Sequence, residues 1–299
     1  MFSSPDGRTG WAYHGIVVPR SAPGAWDGGG IASPGAAVAA DGSVIVGHAG
    51  ENSPGGGINR GIGVAVASHP LGPFVKESTP IASPKTICGG KGRCDDVIMQ
   101  SRPDGVHIYH SVKGGCTPPG CGIRHRVSTD NGRSWSNSTL VLSATLQPGH
   151  EPAESIAGKW FPEMCGGKGG MVIITDGCAG VGCLHAYISK TPGDMTNFVA
   201  ATQPGLGPAE HPLFGPPGSI TKGDWASDAG QIGFIPDAAD NVVGVTYSLW
   251  NGDRFRAHRE YHGRFAMTGG YTHTVYRLNV STPPPQNVAD TGASPTTAV

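Results

Sequence analysis

The chain has 299 residues, a formal net charge of −1 and 14% charged side chains, with no run of Lys or Arg, so it lacks the basic footprint of a nucleic-acid binder. No stretch approaches the ~18 apolar residues of a membrane-spanning helix. Gly (49) and Pro (26) make up about a quarter of the residues, and no segment has a useful helical period, which leaves short turn-bounded strands as the dominant pattern.

At the N-terminus, Met1-Phe2-Ser3-Ser4-Pro5 has neither the charged nor the apolar region of a secretory signal, so the chain is expected to start after a removed signal or at a truncated start. Residues 4 to 11 read Ser-Pro-Asp-Gly-Arg-Thr-Gly-Trp, and Trp11 to Val18 reads as the outermost strand of a sheet whose inner strands are absent. Strand patterns follow at Ala36–Ala40, Ser43–His48, Gly61–Ser68, Val97–Gln100, Val106–Val112 and Ile123–Ser128. They continue at Met171–Thr175, Leu184–Ser189, Gln231–Ile235, Val242–Leu249 and Thr272–Leu278. From Ser281 to Val299 the Pro-, Thr- and Ser-rich composition has no core-forming pattern, so a single domain over 1–280 with a disordered tail over 281–299 is expected.

Residues 128 to 135, Ser-Thr-Asp-Asn-Gly-Arg-Ser-Trp, repeat the N-terminal turn in stronger form. Asp130 can fold its carboxylate onto nearby backbone N–H groups, Gly132 can take φ > 0, and Trp135 can cover the turn. Ser68, Ser128 and Ser189 mark the same point of a repeat, 60 and 61 residues apart. A unit of that length holding several short strands fits a four-stranded propeller blade better than a solenoid rung. The chain is therefore read as all-β, with nearly complete blades beginning near Ser33, Asp96, Glu163 and Asp228.

Cys88/Cys94, Cys116/Cys121 and Cys178/Cys183 form close pairs around loop-like sequence, with Cys165 left over; disulfides in an oxidising, secretory compartment are expected. No Cys-x2-Cys spacing suggests zinc. Asn137-Ser138-Thr139 and Asn279-Val280-Ser281 fit the glycosylation acceptor.

Inner strands of a propeller converge on its axis, so acids at their starts share one funnel. Asp96 with Asp95, Glu163 and Asp228 recur at such positions and are the catalytic candidates. Cleaving a glycosidic bond needs one protonated carboxyl for the leaving oxygen and one carboxylate to activate water or attack carbon. Trp160, Trp225 and Trp250 flank these acids and can stack on sugar rings; the competing reading is packing between blades. His125, between Arg124 and Arg126 on alternate faces of a strand, is a secondary candidate for substrate contact.

The run from Trp26-Asp27 to Ser33-Pro34, then Asp41-Gly42, Gly61 to Ser68 and Gly72-Pro73-Phe74, resembles a blade of the five-bladed glycosidases of the arabinanase, xylosidase, levansucrase and invertase superfamily. The resemblance extends loosely over residues 1 to 280 through short, degenerate motifs. It implies a five-bladed propeller, incomplete in its first blade, that hydrolyses an oligo- or polysaccharide through axial carboxylates. In that superfamily a first-blade Asp acts as base or nucleophile, a second-blade Asp tunes or binds, and a third-blade Glu is the acid. By position Glu163 resembles the acid and Asp96 the second Asp, but Ser33 stands where the first Asp belongs; Asp27 is the nearby substitute. The resemblance further implies a carbohydrate partner, a monomer and no cofactor, with an axial ion such as calcium left open.

The turn at 128 to 135 also resembles the Asp-box of sialidases, which makes Asp130 structural. A sialidase needs three arginines on the substrate carboxylate and a Tyr–Glu pair, and no spacing marks these out. Two further readings stay open: a non-catalytic glycan- or protein-binding propeller, favoured by Ser33, and a sialidase.

Overall fold

The computed structural model describes residues 1–5, 10–52, 60–87, 90, 92–113, 121–143, 156–162, 167–176, 184–200, 229–236, 242–251 and 254–262. The architecture is all-β. A two-stranded ribbon, β1 (Phe2–Ser3) and β2 (Ala12–Tyr13), precedes the first four-stranded sheet, formed by β3 (Gly30–Val38), β4 (Val44–Glu51), β5 (Gly61–Ala67) and β6 (Val75–Lys76). One helical turn, α1 (Pro84–Ile87), leads to the second sheet: β7 (Arg93–Arg102), β8 (Gly105–Lys113), β9 (Gly122–Ser128) and β10 (Thr139–Ser143). The third contains β11 (Ile156–Phe161), β12 (Gly170–Asp176), β13 (Leu184–Ser189) and β14 (Phe198–Ala200). The described part of the last comprises β15 (Ala229–Pro236), β16 (Val242–Asn251) and β17 (Arg254–His262).

Each sheet is an antiparallel meander, and the first strands lie beside one another: β7 packs on β3 and β11, and β11 packs on β15. That is the arrangement of propeller blades around an axis. The period of two along β7 explains how successive sheets are glued. Val97 and Met99 face a cluster with Ile45, Ile62 and Ile108 of the first two sheets, while Ile98 faces one with Trp160, Met171 and Ile173 of the third. Ile45, Ile62, Ile108 and Ile173 are fully buried, each worth about 1.5–3 kcal/mol of transfer from water.

The third inner strand departs from the sequence expectation. It begins at Ile156, so Glu163 follows the strand instead of opening it, and Glu163 itself lies outside the described residues. Gly158 and Lys159 hid the strand pattern. Gly158 is there because a Cβ would meet the Met171 methyl at 2.5 Å and Ile98 Cδ1 at 2.9 Å, where the second and third sheets approach. Asp228, Trp225 and the strand expected at Thr272–Leu278 also lie outside the described residues.

The turn after β9 has the expected form. Asp130 accepts from the Ser134 N–H (2.8 Å), the Ser134 hydroxyl (2.5 Å) and the Ser128 hydroxyl (2.8 Å), and the Gly132 N–H donates to Ser128 Oγ at 2.7 Å. Gly132 has φ +87° and Trp135 packs against the core cluster. In the next sheet buried Ser189 closes a related turn, accepting from the Met171 N–H at 2.7 Å and donating to the Asp194 carbonyl at 2.6 Å. The serine ruler read from the sequence thus has a physical basis in two successive sheets.

Candidate functional site

Antiparallel order brings the start of β3, the end of β4, the start of β5, the start of β7 and the end of β8 to one end of the first two sheets. Charged side chains collect there. Asp95 is buried, and its Oδ2 lies 2.6 Å from Arg60 Nη1, 3.6 Å from Lys113 Nζ and 3.6 Å from Arg93 Nε. Its Oδ1 accepts from the Ser33 hydroxyl at 3.2 Å and from the Asp96 N–H at 3.1 Å. Arg60 also pairs with Glu51.

Asp96 occupies a bulge of β7, between Asp95 and Val97, with φ +41°; Ser33 sits in the corresponding bulge of β3 with φ +48°. Left-handed backbone at a non-glycine residue is uncommon, and here it occurs twice, on neighbouring inner strands at one end of the sheets. The bulges turn both side chains toward the same cluster. Asp96 Oδ2 accepts from Lys113 Nζ at 3.1 Å and from the Ser111 hydroxyl at 3.3 Å. Burial pushes the Asp96 carboxyl above the usual carboxylate range; Lys113 opposes this and the neighbouring Asp95 adds to it, so the net direction is toward the protonated acid.

Asp95 and Asp96 are thus brought together, while Asp27 is tied down separately. Asp27 is fully buried, bonded to Lys76 of the outer strand β6 at 2.5 Å and 4.0 Å from His48 Nε2. Burial pushes its carboxyl up, but hydrogen bonds from Lys76 and Ser21 outweigh that and hold it below its ordinary value. Trp160 is buried in the core with the Arg102 guanidinium 3.4 Å from its ring centre. His125 is buried too, 2.9 Å from His107 and tilted on Tyr109. Trp250 falls in β16, with its backbone opposite Phe255. Among the described residues no three His, Cys, Asp or Glu side chains cluster in a way that would hold a metal ion.

Sequence reading missed Arg93 and Lys113 and had Arg60 only as one of several arginines available to a sialidase, because nothing local marks their convergence on Asp95 from β7, from β8 and from the residue before β5. It also missed a register equivalence. Counted from Ser128, opposite Val106, and from Ser189, bonded to Met171, the step His110–Val97 of the second sheet matches Thr175–Ile156 of the third. Asp95 stands two residues before Val97, and two residues before Ile156 the sequence has Glu154. Glu154 lies outside the described residues, but its place in the sequence, followed by Ser155 and a strand, was the available signal.

No family model matches the sequence and no curated protein is similar to it. Solved structures are similar in shape. An endo-arabinase from Bacteroides thetaiotaomicron VPI-5482 superposes with TM-score 0.57 at 12% identity over 87% of this chain and 83% of that one. An α-L-arabinofuranosidase from Clostridium thermocellum ATCC 27405 gives TM-score 0.55 at 14% identity over 93% and 81%. The chain spans about half, 51%, of Zg3597, a family 117 glycoside hydrolase from Zobellia galactanivorans, with TM-score 0.45 at 15% identity over 64% of this chain. At these identities the first two likenesses speak for the fold: the chain is an all-β protein with the fold of β-propeller glycoside hydrolases.

Proposed function

We propose that the chain is a secreted glycosidase that cleaves an O-glycosidic bond of an oligo- or polysaccharide at the strand-end cluster of Asp95 and Asp96. The observation that carries this reading is the adjacent pair of carboxyls in different environments. Asp95 is tied down by Arg60, Arg93 and Lys113, whereas burial pushes Asp96 toward its protonated form. A carboxyl whose acid form is favoured by burial, beside an ion-paired one, suits proton donation to a leaving glycosidic oxygen. The chemistry also needs a second carboxyl, and Glu154, two residues before β11 in the sequence, is the candidate for it. The glycosidase descriptions of the structural neighbours support the same class of chemistry at the level of fold. Cys121 is disulfide-bonded, which supports a secretory location.

Release of nitrophenol from a panel of aryl furanosides and pyranosides tests the reading. Turnover that falls at least 100-fold in D96N, with the fold intact by circular dichroism, is expected. Retained glycan binding without any turnover would instead favour the non-catalytic binder, for which Ser33 in the place of a base is the specific argument. An aryl sialoside in the panel covers the sialidase alternative.

A further inference from the structure

The acceptor triplet Asn137-Ser138-Thr139 joins the turn after β9 to the outer strand β10. Ser128, Asp130, Gly132 and Ser134 tie the tip of that turn. Ser136 fastens its exit: the Ser136 N–H donates to the Val127 carbonyl at 2.9 Å, and its hydroxyl accepts from the Val127 N–H at 3.0 Å. The chain then enters β10, where Thr139 stands opposite His125. Exposure alternates along the triplet as it does along a strand. Ser138 is half-buried, its hydroxyl accepting from Arg124 Nη1 at 3.3 Å, while Asn137 and Thr139 are both exposed.

The repeat does not dictate this triplet. The outer strands of the first and third sheets are entered through Pro73-Phe74-Val75 and Thr196-Asn197-Phe198, neither of which is an acceptor. Asn197 is spent on its own turn, its Nδ2 donating to Asp194 Oδ2 at 2.7 Å. The turn that carries Asn137 also lies at the end of the second sheet opposite the charged cluster. Ser128 pairs with Val106 and Val106 with Ser101, whereas Ile123 pairs with Ser111 and Ser111 with Asp95. From Asp95 to Ser101 the strand β7 advances on the order of 20 Å at about 3.3 Å per residue. A bulky group on Asn137 therefore stands clear of a substrate held at Asp95 and Asp96.

We propose that Asn137 carries an N-linked oligosaccharide. The proposal takes the secretory location from the reading above, which the disulfide at Cys121 supports, and needs none of its chemistry. The donor is an oligosaccharide linked to a lipid diphosphate. A bond forms between Asn137 Nδ2 and the anomeric carbon of the first sugar as the bond from that carbon to the diphosphate breaks. The amide gives up one proton, and the lipid diphosphate leaves with the bonding electrons. The hydroxyl two residues beyond the Asn is the other half of the acceptor signal, and Thr139 supplies it on the same exposed side. A glycan is bulky and solubilising and needs a surface position, which this turn provides without crowding the site. The other acceptor triplet, Asn279-Val280-Ser281, lies outside the described residues.

Mass spectrometry of the full chain, recovered from the cells that make it, tests this. Peptide N-glycosidase in heavy-oxygen water converts each glycosylated Asn to labelled Asp, and label at Asn137 is expected. In a eukaryotic secretory host, N137Q and T139A are each expected to lose the mass of one glycan, and S138A to keep it. Secreted chain with unlabelled Asn137, or with label at Asn279 alone, overturns the proposal and leaves the secretory reading standing. A chain found in the cytosol with Cys121 reduced overturns both. A glycan that survives T139A overturns the assignment of the acceptor. Enzymatic removal of the glycan is expected to leave turnover of the aryl glycosides unchanged; a loss of turnover overturns its placement away from the site.

Discussion

The hydroxyl of Ser33 donates to Oδ1 of Asp95 across 3.2 Å, linking the first two inner strands at the end where the charged cluster lies. Ser33 there holds φ +48°, a conformation that Asp and Asn tolerate better than other side chains. S33D is therefore compatible with the backbone and sets a third carboxylate beside Asp95 and Asp96, within reach of the same cations. The expected outcome is a gain of at least tenfold in release of free sugar, read by steady-state kinetics on the aryl glycoside panel. S33A removes the hydrogen bond to Asp95 and is expected to cost about 1.5–3 kcal/mol, checked by urea unfolding.

The third sheet supplies a comparison between two glutamates. Because β11 starts at Ile156, a catalytic carboxyl from this sheet is expected at Glu154, two residues before the strand, and not at Glu163 beyond its end. E154Q should lower kcat at least 100-fold, with KM changed less than threefold, while E163Q stays within about threefold of the parent in both. Equal losses in the two variants would contradict the register argument. The measurement is the pair of Michaelis curves on the best aryl glycoside.

The middle strands made the repeat legible. In β4 and β8 nearly every residue is buried, and Ser43 to His48 and Val106 to Val112, rich in Val, Ile and Tyr, read as strands without any knowledge of their neighbours. The serines at 128 and 189 were legible for a different reason: each closes a turn within its own hairpin, so its spacing survives in the sequence. The inner strand β11 was not legible, because Gly158 answers to Met171 and to Ile98 of another sheet, a constraint with no local trace. The site divides in the same way. Asp95 and Asp96 are adjacent in the chain and were found together, whereas Arg60, Lys113 and Glu51 meet them only through pairing between strands.

Asp130 is expected to act on stability alone. Hydrogen bonds from the Ser134 hydroxyl and N–H and from the Ser128 hydroxyl hold its carboxyl down to about 2. The folded state thus favours the ionised form, and that contribution is complete above about 3.8 and lost as pH falls through 3.8 toward 2. D130A should lower the melting temperature at pH 7, with kinetics unchanged, and should flatten the acid limb of the stability curve in that window. Differential scanning calorimetry between pH 2 and 7 checks both. A change in kcat without a change in melting temperature would argue against a purely structural turn.

Three buried histidines set the response to milder acid. Burial lowers His48 from 6.5 to about 4, His125 to about 4 and His110 to about 3. For each, the unfolded chain takes up a proton before the folded one does. The stability they allow is intact above about 6.5 and falls as pH drops from 6.5 toward 4, with a slope that grows to as many as three protons. His48 offers the sharpest test, because neither ring nitrogen has a hydrogen-bond partner among the described residues, and the ring stacks on Trp26 with centroids 5.7 Å apart. Phenylalanine keeps the stacking face and removes the titration. H48F is therefore expected to match the parent closely at pH 8 and to be the more stable protein at pH 5, measured by urea unfolding at both pH values. A variant destabilised more at pH 5 than at pH 8 would show that the attraction between His48 and Asp27, 4.0 Å apart, outweighs the cost of burying the charged ring.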